Sequence, residues 1–493
     1  MYPYRPEPED MTVNRSVRTV AFVFCIAWAL SGCVHISALL EPSPHESSGQ
    51  AAVASAPALE PAPVSRPAVS KNSARTVKTS KISNDPERTV DASVYRTNVP
   101  LPSAAEIAKR VKPASIRTDA ELTSLVRELT DGIEDPFLKV KAVHDWIALT
   151  IAYDAASFLK NVIPDQSPFA VLARGSAVCD GYAVLFERMC VPLGVEVRKI
   201  SGYGRGYGSG ALSEENTDRN NHAWNLVKLS GSWYPIDVTW DAGCLDGGTF
   251  KREYSTAYFL LRPEQMIFTH FPSDNRYQLL PAVLSRAEFV RLPFLNGDFF
   301  DTVASGYERL EKTIRIDSPA ELTFRVNAGR VLSCVLYSAA TGERADYAWV
   351  QTRDGVATLM LSPPEGEYLL RLFSRETGES TGSDIGEFAV RSTLRTPVKA
   401  PVLYRDFYMY GVFIVSPGRE PVRKGAEVTV SAYIPGVSGA RARVDGKLIE
   451  MQHKGNDLYS VTLKAPGSGN IDVFIRKNQS ESSLSGVFAI QVE

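Results

Sequence analysis

Cysteine and histidine are scarce in this chain, six of each in 493 residues. No C-x-x-C or H-x-x-x-H spacing occurs, so no zinc motif is present, and no metal or other cofactor is expected. The cysteines also lack the paired spacing of a disulfide framework. Net charge is nearly absent at -2, which excludes a global basic field that would recruit nucleic acid. Long apolar runs are missing too. The longest near the N-terminus, Val20 to Leu30, is well short of the ~20 residues a membrane span needs. The glycine-rich stretch "GYGRGYGSG" is out of register with G-x-G-x-x-G and no helix pattern follows it, which excludes a phosphate-binding loop.

An apolar content of 44% and a charged content of 22% are those of a globular protein, with length for about three domains at ~150 residues each. Arg15 and Arg18 precede the short apolar run, which ends in Leu30-Ser31-Gly32-Cys33. This resembles the lipobox of bacterial lipoproteins and implies a signal peptide over 1–33, lipidation at Cys33 and a membrane anchor through that lipid. An uncleaved anchor continuing to Leu40 is the plainer alternative. The expected location is the bacterial cell envelope, on a lipid-anchored membrane or cell surface. Residues 34–112, rich in Ala, Pro, Ser, Thr and Val, read as a disordered tether.

Folded signals begin after it. Thr118 with Glu121 forms a capping box ahead of Leu122, Leu125, Val126 and Leu129. Asp135-Pro136 is an N-cap and N1 pair before an amphipathic run from Phe137 to Ile151. Tyr182, Leu185, Phe186, Met189, Cys190 and Leu193 make one buried helical face, stopped by Pro192 and Gly194. Strands are expected at 195–201, 222–229 and 233–239, with a long polar loop from Gly202 to Asn221 between the first two. Alternating patterns and turn signals then dominate. The expected architecture is α+β over 113–300, followed by all-β sandwiches at 310–392 and 401–493.

Two cysteines bracket the segment "CDGYAVLFERMC". Eleven residues are about three helical turns, so both lie on one face. Cys190 is mid-face among apolar residues and reads as a core thiol. Cys179 falls at the helix start, where free N–H groups and the dipole favour a thiolate and an oxyanion. A base and an orienter are available in "NHAWNLVKLSGSWYPIDVTW". If Ser230-Gly231 is a two-residue turn, Asp237 lies one diagonal step from His222, on the same face. A three-residue turn would place Asp237 on the other face and leave a hairpin with a stray histidine. Trp146 and Tyr153 are candidates for a second oxyanion donor. Trp224, Trp233 and Trp240 read as core or cleft wall, His144 and Cys244 as structural, and His270 as a loop residue.

"AVCDGYA", "NHAWNLV" and "WYPIDVTWDAG" together resemble the transglutaminase-like superfamily of papain-like folds. "VKAVHDWIALTIAYD" matches the helix leading into that core, and "YFLLRPEQMIFTHFPSDNRYQLL" is similar to the kyphoscoliosis-peptidase branch. The β-rich half resembles the Ig-like modules of that branch. The resemblance implies Cys179 as nucleophile, His222 as general base and Asp237 as orienter, acting through an acyl-thioester. Asp180-Gly181 stands where calcium-dependent animal transglutaminases carry Trp, and there is no acidic calcium loop, which favours hydrolysis over cross-linking. The implied activity is that of a thiol peptidase or amidase on a peptide or protein substrate, peptidoglycan stem peptides among those compatible. A transglutaminase with an amine acceptor and a non-catalytic adhesion or scaffold protein are the alternatives.

Overall fold

The computed structural model describes residues 90–493 apart from 207–212, 378, 380, 381, 419 and 479–482. The signal segment, Cys33 and the tether up to residue 89 lie outside the described residues, and so does the middle of the glycine-rich loop. Among the described residues no helix is long and apolar enough to cross a membrane.

The end of the expected tether is part of the fold. Helix α1 (Pro102–Arg110) starts with Pro at its first turn and buries Ala104 and Ile107. Ahead of it, Leu101 N–H donates to Asp145 Oδ2 at 2.7 Å, and Asn98 exchanges hydrogen bonds with Thr256. Composition masked this segment, because a Pro/Ala-rich stretch that lacks its own core can still order against another one.

Helix α2 (Asp119–Leu129) carries the Thr118–Glu121 capping box, and α3 (Pro136–Thr150) is capped by Asp135. Strand β1 (Ala152–Tyr153), α4 (Ala155–Lys160) and α5 (Pro168–Arg174) lead to β2 (Ser176–Ala177), which pairs with β1 in parallel. Then comes α6 (Cys179–Cys190), whose Tyr182, Leu185, Phe186, Met189 and Cys190 are at most 1% exposed. Each large side chain on that face contributes roughly 1.5–3 kcal/mol by leaving water.

Next follow β3 (Val197–Gly204), α7 (Glu214–Thr217), β4 (His222–Leu229), β5 (Ser232–Ile236), α8 (Val238–Ala242), β6 (Gly243–Asp246), β7 (Thr249–Arg252) and β8 (His270–Pro272). The main sheet is antiparallel in the order β5-β4-β3-β8. Ser230 and Gly231 both have positive φ, as a tight two-residue hairpin requires, and Leu229 pairs with Ser232. β3 runs on to Gly204, so the first glycines of the expected loop are strand residues. Asn225 and Val227 face α6 and its helical neighbours, while Trp224 and Leu226 face the other way.

Two short helices, Arg286–Arg291 and Gly297–Thr302, complete the core, and the remainder is almost wholly β, giving the expected α+β core with sandwiches behind it. The first sandwich packs the sheet holding 303–305, 320–326, 356–361 and 348–353 on the sheet holding 313–316, 383–392, 366–376 and 330–338. Strand Phe294–Leu295 extends from the core to pair with Ser383–Ser392. One apolar cluster joins Trp224, Tyr203 and Phe271 to Phe299, Phe324 and Leu370, so the core sheet and the first sandwich share a continuous interior. The second sandwich has a separate cluster around Phe407, Val430 and Phe488.

Candidate active site

Cys179 is the first residue of α6, after Val178 in extended conformation. The approach is held from behind. Gly175 ends α5 in the left-handed region at φ 67°, and β2 hydrogen-bonds to β1. Gln166 reaches across, accepting from Val178 N–H at 3.0 Å through Oε1 and donating to the Pro164 carbonyl through Nε2. Gly181 is required here, since a Cβ on it would stand 2.4 Å from Gln166 Oε1 and 2.8 Å from Ala177 Cβ. The Asp180-Gly181 pair thus reflects a close crossing over the first turn.

His222 opens β4 and Asp237 follows β5 directly, with Asn225 paired to Ile236. His222 Nε2 donates to Asp237 Oδ2 at 2.6 Å, and the Cys179 thiol lies near enough to the ring to help raise its pKa. The structure therefore brings together the three residues expected from spacing. It also adds one that sequence reasoning placed in a loop. His270 lies on β8, 1% exposed, and its Nε2 donates to the same Asp237 Oδ2 at 3.0 Å. Its Nδ1 pairs with Thr269 Oγ1 at 2.9 Å. β8 lies beside β3, with His270 opposite Gly204. Gly204 leaves the space that the imidazole of His222 fills, for a Cβ there would be 2.9 Å from His222 Cβ.

Asp237 is fully buried, a position that is costly for a charge unless it is hydrogen-bonded. Besides the two imidazoles, its Oδ1 accepts from Thr239 N–H at 2.9 Å and Trp240 N–H at 3.2 Å, capping α8. Burial alone would raise the carboxyl pKa, but the two histidines outweigh it and hold the group well below the usual carboxylate range. Burial opposes a charged His222, yet the Asp237 charge and hydrogen bond, with Cys179 behind them, raise its pKa. His270 moves the opposite way. Burial lowers it to about 4, because its bond to Asp237 is the weaker one and the charge of His222 is adjacent. At neutral pH it is a neutral donor.

The nearest aromatic faces are Trp240, at 5.1 Å between ring centroids, and Trp224, at 6.0 Å, both stacked on His222. Trp224 and Trp233 are buried, and Trp240 lines the adjoining cavity. That cavity, about 370 Å³, opens beside His222 and is also lined by Tyr153. Trp146 is fully buried and does not line it, so of the two aromatic donor candidates only Tyr153 reaches the cavity. Cys190 is buried and burial raises its thiol pKa.

Among the described residues, His222, Asp237 and His270 form the one group whose ligand atoms are close enough to hold a metal ion, all within 4.8 Å. Both imidazoles already spend Nε2–H on the carboxylate, so a cation there would have to displace two short hydrogen bonds. The arrangement suits proton handling better than coordination.

A second polar cluster lies behind α8. His144 bridges Asp145 (2.9 Å) and Asp241 (3.0 Å), and Lys141 donates to Asp145, Tyr254 and the Val99 carbonyl. All of His144, Asp145 and Asp241 are fully buried. His144 is thus a satisfied structural histidine, tying α3 to the helix that Asp237 caps.

The family model described as Transglutaminase-like superfamily matches residues 123–238. Kyphoscoliosis peptidase of Mus musculus is 24% identical over 398 residues, covering 76% of this chain and 60% of the relative. The Homo sapiens protein of the same name is 27% identical over 285 residues, covering 57% and 42%. Lim and transglutaminase domain protein ltd-1 of Caenorhabditis elegans is 32% identical over 212 residues, covering 40% and 29%. The chain thus spans 60% or less of the length of these relatives. Residues 123–238, which carry Cys179, His222 and Asp237, form a domain of the transglutaminase-like superfamily.

Proposed function

We propose that this chain is a thiol peptidase or amidase whose nucleophile is Cys179, general base His222 and orienter Asp237. The observation that carries the reading is His222, bonded to buried Asp237 at 2.6 Å and near enough to the Cys179 thiol to feel it electrostatically, beside an open cavity. Asp237 fixes the imidazole and favours its protonated form. With the Cys179 proton already resting on His222, the sulfur attacks an amide carbon. N–H groups of the first turn of α6 face the developing oxyanion, with the Tyr153 hydroxyl as a second donor. The C–N bond then breaks, His222 returns the proton to the departing amine, and a thioester remains. Water, deprotonated by His222, attacks the thioester and releases the acid and the thiol. Burial keeps Tyr153 a neutral phenol, able to donate.

The envelope location, the lipid on Cys33 and a peptidoglycan-linked or protein substrate are parts of the same proposal. The N-terminal charge and lipobox pattern supports the first two, and the open cavity beside His222 supports the third. The test is intact-mass spectrometry after a brief incubation with an activated acyl ester. A single acyl adduct, mapped to Cys179 and discharged by water, supports hydrolysis. No adduct on the folded wild-type protein supports the scaffold alternative. Discharge only when an amine is added supports transfer.

A further inference from the structure

The cavity beside His222 does not stop at the transglutaminase-like domain. It is also lined by Asp298, from the helix Gly297–Thr302, and by Arg330, Ser374 and Ser383 of the first sandwich. The sandwich is therefore a wall of the site as well as an attached module, and the shared apolar cluster fixes it in place.

On this side the cavity is lined by two carboxylates, Glu253 and Asp298, and by the guanidinium of Arg330, with His222 at its other side. Arg330 also leans on Glu376, at 3.8 Å. Behind the wall, Asp301 is matched by Arg96 at 2.8 Å and Asp241 by His144 at 3.0 Å. Asp298 takes no ion pair or side-chain hydrogen bond of comparable closeness among the described residues. Burial raises its carboxyl to about 7, and the fields of Asp301, Asp241 and Glu253 add to this while Arg330 opposes it. A positive group entering the cavity would relieve that carboxyl most. Aromatic faces are at hand as well, because Trp240 and Tyr258 line the same space and stand edge to face at 4.9 Å. Rings of this kind attract cations through their faces, and the methylenes of a long side chain lie well against them.

We infer that the Asp298 side of the cavity is a subsite for an alkylammonium group, held by Asp298 and Glu253 against Trp240 and Tyr258. The inference rests on the proposed thiol chemistry at Cys179 and names what that thiol is presented with. The ammonium could be a lysine-like side chain on the acyl donor or the free amine of an acceptor.

Two arms separate these sources. In the first, Cys179 is labelled with peptidyl vinyl sulfones that differ only in carrying lysine or norleucine. A donor subsite predicts labelling at least about tenfold faster with lysine, a preference that collapses in Asp298→Asn and grows in Arg330→Gln. In the second, p-nitrophenyl acetate is turned over with n-pentylamine present. An acceptor subsite predicts saturable diversion of acetyl to N-pentylacetamide, lost in Asp298→Asn and enhanced in Arg330→Gln. Either pattern supports the subsite. Equal labelling by both peptides together with non-saturable amine capture overturns it, as does a preference unchanged in Asp298→Asn. The Arg330 variant keeps the test decisive if Asp298→Asn fails to fold. Iodoacetamide labelling of Cys179 is the control. If it proceeds normally while the lysine and amine effects are absent, the subsite fails and the thiol reading stands. If it too is absent, the thiol reading itself has failed.

Discussion

His222 and His270 share a single oxygen atom, Asp237 Oδ2, at 2.6 and 3.0 Å. The two rings stand 5.3 Å apart, and only one can be charged without strong repulsion from the other. The environment assigns the charge to His222 by lowering the pKa of His270. His270 is a positioning residue, donating a second bond that holds the carboxylate oxygen against the ring that works.

This division has a pH signature. His270 has its pKa depressed in the folded chain, from 6.5 to about 4, so the stability tied to its neutral form is present above pH 6.5 and lost as pH falls toward 4. The full effect is on the order of 3 kcal/mol. Wild-type melting temperature should drop over that window, and His270→Gln should flatten the drop while retaining a donor to Asp237. His222, with its pKa raised, contributes in the opposite sense. Its stabilisation is complete below pH 6.5 and fades as pH climbs through its raised value. A His270→Gln melting curve as steep as wild type between pH 6.5 and 4 would contradict the assignment.

Thiol reactivity should be confined to one of the three cysteines that are unbridged and described. Burial raises Cys190, and it raises Cys334 to about 12, so neither supplies thiolate between pH 5 and 9. Iodoacetamide, followed by peptide mapping, is expected to modify Cys179 at least about tenfold faster than either. Faster modification of Cys190 in the folded protein would place the nucleophile elsewhere.

Replacing Asp237 by Asn should lower acyl transfer roughly 10³–10⁴-fold, since the amide is uncharged and has one acceptor atom where the carboxylate uses two, one for the histidines and one for the α8 N–H groups. Cys179→Ala removes the covalent route altogether. The double variant should be no worse than Cys179→Ala, as expected for residues that act as one unit. Independent, multiplicative losses in single-turnover kinetics would argue against a shared function.

Gly204→Ala probes geometry without touching a titratable group. Its Cβ would meet His222 Cβ at 2.9 Å and Cγ at 3.0 Å, so the imidazole must move by a few tenths of an ångström or more. Turnover should fall by about 10–100-fold, given how steeply reaction depends on alignment. Folding should survive, with the melting temperature a few degrees lower. Unchanged kinetics would mean the ring has more latitude than its packing suggests.

Asp145→Ala tests the cluster behind α8. Lys141 would keep its carbonyl and phenol partners but lose its countercharge while almost wholly buried. A loss of about 3–5 kcal/mol in unfolding free energy is expected, measured by urea denaturation.

Much of the site was readable because it is local. Ser230-Gly231 dictates the hairpin turn, the turn sets the register, and the register puts Asp237 within reach of His222 across 15 residues. Cys179 could be told from Cys190 by its place at a helix start. His270 could not be found this way. It is 33 residues beyond Asp237 on a strand of three residues, too short to show a period. Its only signal is the buried-looking neighbourhood of Phe268 and Phe271. The glycines of β3 read as loop because their purpose, room for a neighbouring ring, is invisible without the fold. Asp298 is more remote still, since its role depends on where the sandwich docks.

Asp237 does two jobs with its two oxygens, one capping the start of α8 and the other aligning the histidines. Cys179 has no comparable second duty, standing half-exposed at the end of its helix. The two residues are therefore unequal in what the chain can lose. A descendant that abandoned the reaction could discard its sulfur at little structural cost, yet would keep the carboxylate to close the helix. Silence in this architecture should be written at position 179 long before 237, and a surviving Asp237 alone is no witness to catalysis.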